Sequence, residues 1–307
     1  MIFDLIIVGG GPAGITAAIY ASRNNLNTLL FSENLGGMLS NKAVSIENYT
    51  GFPSVTGFEL GEKFKEHLEA QDKVSVKSEQ IVSIEKSNNI FNLKTEEVEY
   101  ESKTVIIASG SKPRELNILG EKEFLGRGVG YCPVCDGPFF KGKDVAIVGG
   151  GNASFESAIY LSNIVNNIYI LERGDKFLAD AKNQEKVKNL KNVKAFTNAQ
   201  ILEIKGDKFV KTIKWDNNGE VLETELEGVF IQAGYIPKTD YLKDLVELNE
   251  KREIIVDSDM KTNTSGLFAA GDITNSKVKQ IICAASGGAI AALSVYNYLN
   301  YEQNYIH

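Results

Sequence analysis

Leu5-Ile6-Ile7-Val8-Gly9-Gly10-Gly11-Pro12-Ala13-Gly14 and Val145-Ala146-Ile147-Val148-Gly149-Gly150-Gly151-Asn152-Ala153-Ser154 are two copies of one pattern. Each is a short apolar run that reads as a buried strand and ends in a glycine turn. A helix follows, from Ile15 to Arg23 in the first copy and through Ala158 and Leu161 in the second. A second strand closes each unit, Thr28 to Phe31 and Ile168 to Leu171, the latter running into Glu172. Strand, glycine turn, helix and strand in that order open a Rossmann-type domain. Glycines let a pyrophosphate approach the backbone, and the helix N-terminus offers N–H donors and positive potential. Gly9, Gly11 and Gly14 keep the full spacing, while the second copy has Gly149, Gly151 and the small residue Ser154. One such motif alone could be an incidental turn. Two in the same context predict two dinucleotide sites.

The copies also end alike. Thr104 to Gly110 and Gly228 to Gly234 are apolar strands closing on glycine, and Asp216-Asn217-Asn218-Gly219 predicts a hairpin turn between Phe209–Trp215 and Val221–Leu226. Leu267 to Asp272 would return to the first domain with a final strand and helix. The fold class expected is therefore α/β, with two Rossmann-like, three-layer ββα dinucleotide-binding domains, one inserted into the other. The crossings are placed near Pro113 and Tyr241, giving segments 1–113, 114–241 and 242–307.

A chain of 307 residues suits two cores, and 43% hydrophobic with 24% charged residues is ordinary for a globular protein. A net charge of −7 argues against a nucleic-acid partner, which needs a basic face. No segment is expected to be long and apolar enough to cross a bilayer, and Met1 to Gly10 lacks the basic region and cleavage site of a signal peptide. Three cysteines make no disulfide framework, so a cytoplasmic location is expected.

Cys132-Pro133-Val134-Cys135-Asp136 carries the chemistry. Two thiols separated by two residues close a small ring and can cycle between dithiol and disulfide. Half a zinc site is the alternative, but the chain offers only Cys283, His67 and His307 as further soft ligands, at no usable spacing, so no metal is expected. Cys283, among Ile281, Ile282, Ala284 and Ala285, reads as a buried small hydrophobe.

The sequence resembles the low-molecular-weight thioredoxin reductases over essentially its whole length. Within them it is most similar to the reductase portion of the flavoprotein subunit of alkyl hydroperoxide reductase. The resemblance rests on Gly9 to Gly14, Gly36-Gly37, Glu47-Asn48-Tyr49-Thr50-Gly51-Phe52-Pro53, Gly126 to Gly142 with the cysteine pair, and Phe268 to Asp272. It implies that the outer domain holds FAD and the inserted domain the nicotinamide nucleotide. Carried over, Gly9, Gly11, Pro12, Ala13 and Gly14 lie under the FAD pyrophosphate. Glu33, Gly37, Asn48, Gly110 and Gly271 join them, Asp272 meets the ribityl or pyrophosphate region, and Gln280-Ile281 lie against the isoalloxazine. A helix N-cap is the competing role for Asp272. Met38 stands where the family usually has glutamine.

By the same resemblance Cys135 faces the flavin, Cys132 attacks the partner disulfide and Asp136 protonates a leaving thiolate, a role favouring a raised pKa. Asp136 could instead cap a turn. The activity implied is that of an FAD-dependent NAD(P)H:disulfide oxidoreductase of the thioredoxin reductase type, a homodimer in which the inserted domain rotates so that nicotinamide and cysteines reach one flavin in turn. Its partner would be thioredoxin, a glutaredoxin-like protein or a peroxidase. The thioredoxin-like module that precedes the reductase portion in alkyl hydroperoxide reductase flavoproteins is not in this sequence, so the acceptor is expected to be a separate protein. A non-catalytic nucleotide sensor and a ferredoxin-fed enzyme are the rival readings, opposed by the cysteine pair and the second glycine motif respectively.

The second nucleotide site of the inserted domain would use Gly149, Gly151, Asn152, Ala153, Glu172 and Arg173. NADPH-using relatives show His-Arg-Arg there and a later arginine, where this chain has Glu172-Arg173-Gly174 and Leu178. A carboxylate at Glu172 can accept from both ribose hydroxyls of NADH and would repel a 2′-phosphate. Two unit charges about 4 Å apart cost about 4 kcal/mol at an effective dielectric near 20. NADH is the expected donor over NADPH, with a solvated strand end as the alternative role for Glu172.

Overall fold

The computed structural model describes residues 1–39, 45–46, 48–242 and 244–302, without the side chains of Ser45, Val134, Cys135 and Glu302. Two compact units divide the chain, Met1–Lys112 with Ile236–His307 and Pro113–Tyr235. The chain opens with β1 (Ile2–Val8), α1 (Pro12–Arg23), β2 (Thr28–Phe31) and the small pair β3 (Ser45–Ile46) and β4 (Val55–Thr56). Then come α2 (Gly57–Glu69), β5 (Val74–Lys77), β6 (Ser83–Ser87), β7 (Ile90–Lys94), β8 (Glu99–Ile107) and the crossing strand β9 (Ser111–Pro113). The second unit runs β10 (Val129–Gly130), α3 (Pro133–Asp136), β11 (Val145–Val148), α4 (Asn152–Leu161), β12 (Ile168–Leu171) and α5 (Ala181–Lys188). It continues β13 (Val193–Phe196), β14 (Ala199–Gly206), β15 (Val210–Asn217), β16 (Glu220–Glu225) and β17 (Gly228–Ile231). The return is β18 (Tyr235–Pro237), β19 (Leu267–Ala269) and α6 (Ile281–Asn297).

In the first unit β5, β2, β1, β8 and β19 are parallel neighbours, and β7 and β6 add antiparallel to the early half of β8. Alternation along β1 explains the layers. Leu5 and Ile7 face a helical core with Ile15, Ala18, Ala291 and Val295, whereas Ile6 and Val8 face Ile84, Phe91 and Leu93 of the meander. The second unit repeats this with β10-β17-β11-β12-β13 in parallel and β14-β15-β16 as the antiparallel layer. Val145 and Ile147 pack with Phe155 and Leu161 of α4, and Ala146 and Val148 with Ile201, Ile213 and Trp215. These are two Rossmann-like ββα units, as the duplicated pattern predicts. The hairpin turn sits on Asn218 and Gly219, both at positive φ (54° and 91°), as a two-residue turn between twisted strands requires.

Two expectations need correction. The second crossing falls between Tyr235 and Ile236 rather than at Tyr241. Leu242 is fully buried in the first unit's core, and Tyr241 lies 2.9 Å from Ser109 of that unit, so this segment's apolar residues have already joined it. Second, Ile281–Tyr301 is long and apolar enough to cross a membrane by length and composition. The same apolarity serves a core helix, since Gly287, Gly288, Ala291, Ala292 and Val295 are buried. α6 lies so close to α1 that a Cβ on Gly288 would stand 2.0 Å from the Ala13 carbonyl oxygen. Gly288→Ala is therefore expected to cost about 1–3 kcal/mol by overpacking. A lowered thermal midpoint would register it.

Candidate functional site

The first glycine turn leaves β1 with Gly9 at φ 113°, where a Cβ would meet the Ala108 carbonyl oxygen at 2.3 Å. Gly14 brings α1 against the same turn: its Cβ would lie 1.8 Å from the Gly9 carbonyl oxygen. Gly11 is the N-cap of α1, with Pro12 and Ala13 next, and no side chain caps the helix. Open space stands above the α-carbon of Gly11. Gly37 and Gly271 close in on the turn, their added Cβ atoms falling 3.0 Å from the Gly11 Cα and the Ala13 Cβ. Gly110 follows β8 and Asp272 follows β19, at the carboxyl end of the same sheet. Uncapped amides, a glycine cradle and no intruding side chain fit a dinucleotide pyrophosphate.

Asp272 does not cap α6, whose N-cap is Gln280, and that removes the helix-capping alternative. Asn48 Nδ2 donates to Gln280 Oε1 at 3.1 Å, so two residues distant in sequence but assigned to one cofactor do meet. Ile281 packs beside Leu39, Val55 and Leu60. A cavity of ≈ 280 Å³ is lined by Gly271, Asp272, Thr274, Met260 and Cys283 among others. Cys283 is thus not the buried hydrophobe expected. It is a free, half-buried thiol on a cavity wall. Glu33 is exposed, and Ser32 just before it lies against the first turn, where a Cβ on Gly10 would be 2.3 Å from Ser32 Oγ.

In the second unit four parallel strands bring the site together at their carboxyl ends. Cys132 follows β10, Gln232 follows β17, Gly149 to Gly151 follow β11 and Glu172 follows β12. Gly149 has φ 126°, and Gly151 N-caps α4 without a side-chain cap, with Asn152 and Ala153 next. Glu172 lies against the turn: a Cβ on Gly150 would fall 2.7 Å from its Cγ and Oε2, and its Oε1 accepts from the Gly174 amide at 2.6 Å. Arg173 beside it is exposed. The strand-end carboxylate is therefore held at the lip of the nucleotide turn rather than freely solvated. Asn152 exchanges bonds of 2.9 and 2.7 Å with Asp180, and the Leu178 and Ala179 amides both donate to the Gly150 carbonyl.

Cys132 is disulfide-bonded and half-buried at the mouth of α3. The side chain of Cys135 lies outside the described residues, as do Glu47 and His307. Asp136 N-caps the turn Gly137–Phe140 but makes no side-chain cap bond. Its carboxylate rests over Gly130, where an added Cβ would be 2.7 Å from Oδ2. Among the described residues no cluster of three or more histidine, cysteine or acidic side chains is arranged to hold a metal ion.

Ser32, Asp180 and Lys279 join these sites without belonging to any of the motifs. Lys279 Nζ donates to the Asp272 and Thr274 carbonyls and pairs with Glu253 at 3.0 Å, tying the loop between Asp272 and Gln280. Burial pushes the Glu253 carboxyl up, yet bonds from Asn249 and Lys279 hold it below its ordinary value. Ser32 has a usable signal in the sequence, because laying one copy on the other sets it opposite Glu172. Asp180 and Lys279 have none at short range.

Two dinucleotide folds with a redox disulfide beside one of them define a class, and over residues 3–288 the chain matches, and belongs to, the pyridine nucleotide-disulphide oxidoreductase family. A flavin and a nicotinamide cofactor accompany that membership. The chain is 41% identical to an alkyl hydroperoxide reductase polypeptide of Staphylococcus aureus, over 97% of its own length and 59% of the relative's. It thus spans about three-fifths of the curated relatives it matches. Thioredoxin reductases of Lactococcus lactis (36% identity, TM-score 0.76, 97% and 99% of the two chains) and Streptococcus pyogenes (37%, 0.82, 97% and 98%) share the structure.

Ser154 replaces the last glycine of the second motif and is fully buried, and its Oγ has no hydrogen-bond partner among the described residues. An unpaired buried hydroxyl costs about 1–3 kcal/mol. Ser154→Ala should therefore raise the thermal midpoint, and calorimetry on wild type and variant checks this.

Proposed function

We propose that the protein is an NADH-dependent, FAD-containing disulfide reductase that delivers electrons through the Cys132–Cys135 pair to the disulfide of a small redox protein such as thioredoxin. The observation that carries this reading is the disulfide at Cys132 on the same sheet edge as an uncapped nucleotide turn. Gly9, Gly11, Gly14, Gly37, Asn48, Asp272 and Gln280 would hold FAD, which supplies two-electron transfer between a nicotinamide and a disulfide. The second unit's Gly149, Gly151, Asn152 and Ala153 would bind the nicotinamide nucleotide's pyrophosphate, and Glu172 its adenosine ribose.

One hydride and one proton convert a disulfide to two thiols. Cys132, as thiolate, attacks the partner's disulfide and forms a mixed disulfide, which the second thiol of the pair resolves, re-forming the ring and releasing the partner as a dithiol. Asp136, resting over Gly130 next to this segment, would give a proton to a departing thiolate. The likeness to the staphylococcal alkyl hydroperoxide reductase polypeptide supports a second reading, in which the acceptor is a glutaredoxin-like protein or a peroxidase. Anaerobic titration with NADH followed by candidate disulfide proteins tests both. Flavin bleaching by NADH and recolouring by one acceptor alone names the partner. Absence of bleaching refutes the reading.

Two substitutions sharpen it. Hydrogen bonds to a charged group contribute about 1.5–3 kcal/mol, so Glu172→Ala should lower kcat/KM for NADH by roughly 10- to 100-fold while that for NADPH rises. Initial rates with each nucleotide decide. Asp136→Asn should slow acceptor reduction by about 100-fold and leave stopped-flow flavin reduction by NADH unchanged.

A further inference from the structure

Tyr131, immediately before Cys132, is gripped at both ends. Its hydroxyl donates to Glu121 Oε1 at 2.9 Å, and its carbonyl accepts from Gln232 Nε2 at 2.8 Å. Glu121 is 1% exposed. A carboxylate removed so completely from water is costly unless its oxygens are saturated. The Leu116 and Asn117 amides, at 3.0 and 2.7 Å, complete that saturation and bind the carboxylate to its own loop. Burial and the Glu121 bond push the Tyr131 phenol well above its ordinary range, so it remains a neutral donor. No step of the electron path above uses Glu121.

Gln232 connects this grip to the nucleotide turn. Its amide donates to the Val148 carbonyl at 2.8 Å, and its own carbonyl oxygen would lie 2.5 Å from a Cβ on Gly149. One residue thus braces the glycine turn with its backbone and the residue before Cys132 with its side chain.

We infer that Glu121 and Gln232 are positioning residues for the redox-active Cys132: by fixing Tyr131 they keep the cysteine segment in the geometry from which the disulfide closes. Disulfide geometry is narrow. A thiol pre-placed for closure has a higher effective concentration toward its partner than one on a loosened segment. Releasing either end of Tyr131 therefore favours the dithiol and makes the pair more oxidising. This inference rests on the assignment of Cys132 as the redox thiol made above.

Glu121→Ala would strand two amides and endanger folding, so the informative variants are Tyr131→Phe and Gln232→Leu, which each remove one end of the grip. The FAD-loaded proteins are equilibrated in glutathione redox buffers, and free Cys132 is trapped by alkylation and counted by mass spectrometry. Each variant should shift the dithiol–disulfide equilibrium three- to tenfold toward dithiol, where tenfold corresponds to about 30 mV. The flavin spectrum should stay unaltered. Equilibria identical to wild type in both variants would overturn the inference. The glutathione equilibrium needs no nucleotide, so failure of NADH to reduce the wild-type pair would count against the proposed function and leave this result standing.

Discussion

Backbone packed directly on backbone at the head of each parallel sheet is the constraint on which the rest depends. Around the first turn the Cβ atoms missing from Gly9 and Gly14 would lie 2.3 and 1.8 Å from carbonyl oxygens, and around the second that of Gly149 would lie 2.5 Å from one. Such contact pulls strand, helix and neighbouring strand together until the uncapped amides of α1 and α4 face open space. Once those heads are fixed, whatever residue ends a neighbouring strand is delivered to the same place. Asp272, Glu172 and Cys132 all owe their positions to this.

The duplication makes the differences between the copies informative. Ser32 and Glu172 occupy equivalent positions beneath equivalent glycines, one hydroxyl and one carboxylate. A pyrophosphate is common to both dinucleotides, so the glycine turns alone cannot distinguish them. The plainest difference between the copies lies at the end of the second strand, where dinucleotide-binding folds of this kind often place an acidic residue. The hydrogen bond from Gly174 and the packing on Gly150 fix the Glu172 carboxylate in place beside the second turn.

The layered fold is legible because apolar strands, glycine turns and amphipathic spacing are local signals that occur twice in this chain. The paired cysteines, though they occur only once, are legible because their spacing is itself a local signal. What escapes a reading of the sequence depends on contacts between distant residues. The Tyr241 segment reads as a linker until Leu242 is seen in the first unit's core. Cys283 lies in an apolar run, but the groove beside Asp272 half-uncovers it. Ser32 stands under the first turn because it follows β2 as Glu172 follows β12, an equivalence that only the overlay of the two copies brings out. Asp180 and Lys279 act through loops whose course no periodicity encodes.

The first unit's sheet is interrupted in sequence, since β19 joins β8 only after the whole second unit has been made. The second unit is continuous from Pro113 to Tyr235. During synthesis the inserted unit can therefore complete its core while the earlier strands still await their last neighbour and the packing of α6 on α1. Long-range pairing of this kind is slow to close and leaves apolar strand edges uncovered meanwhile. The outer unit is accordingly the later to mature on the ribosome, and its nucleotide cradle, which needs Gly271 beside Ala13, is among the last features to form.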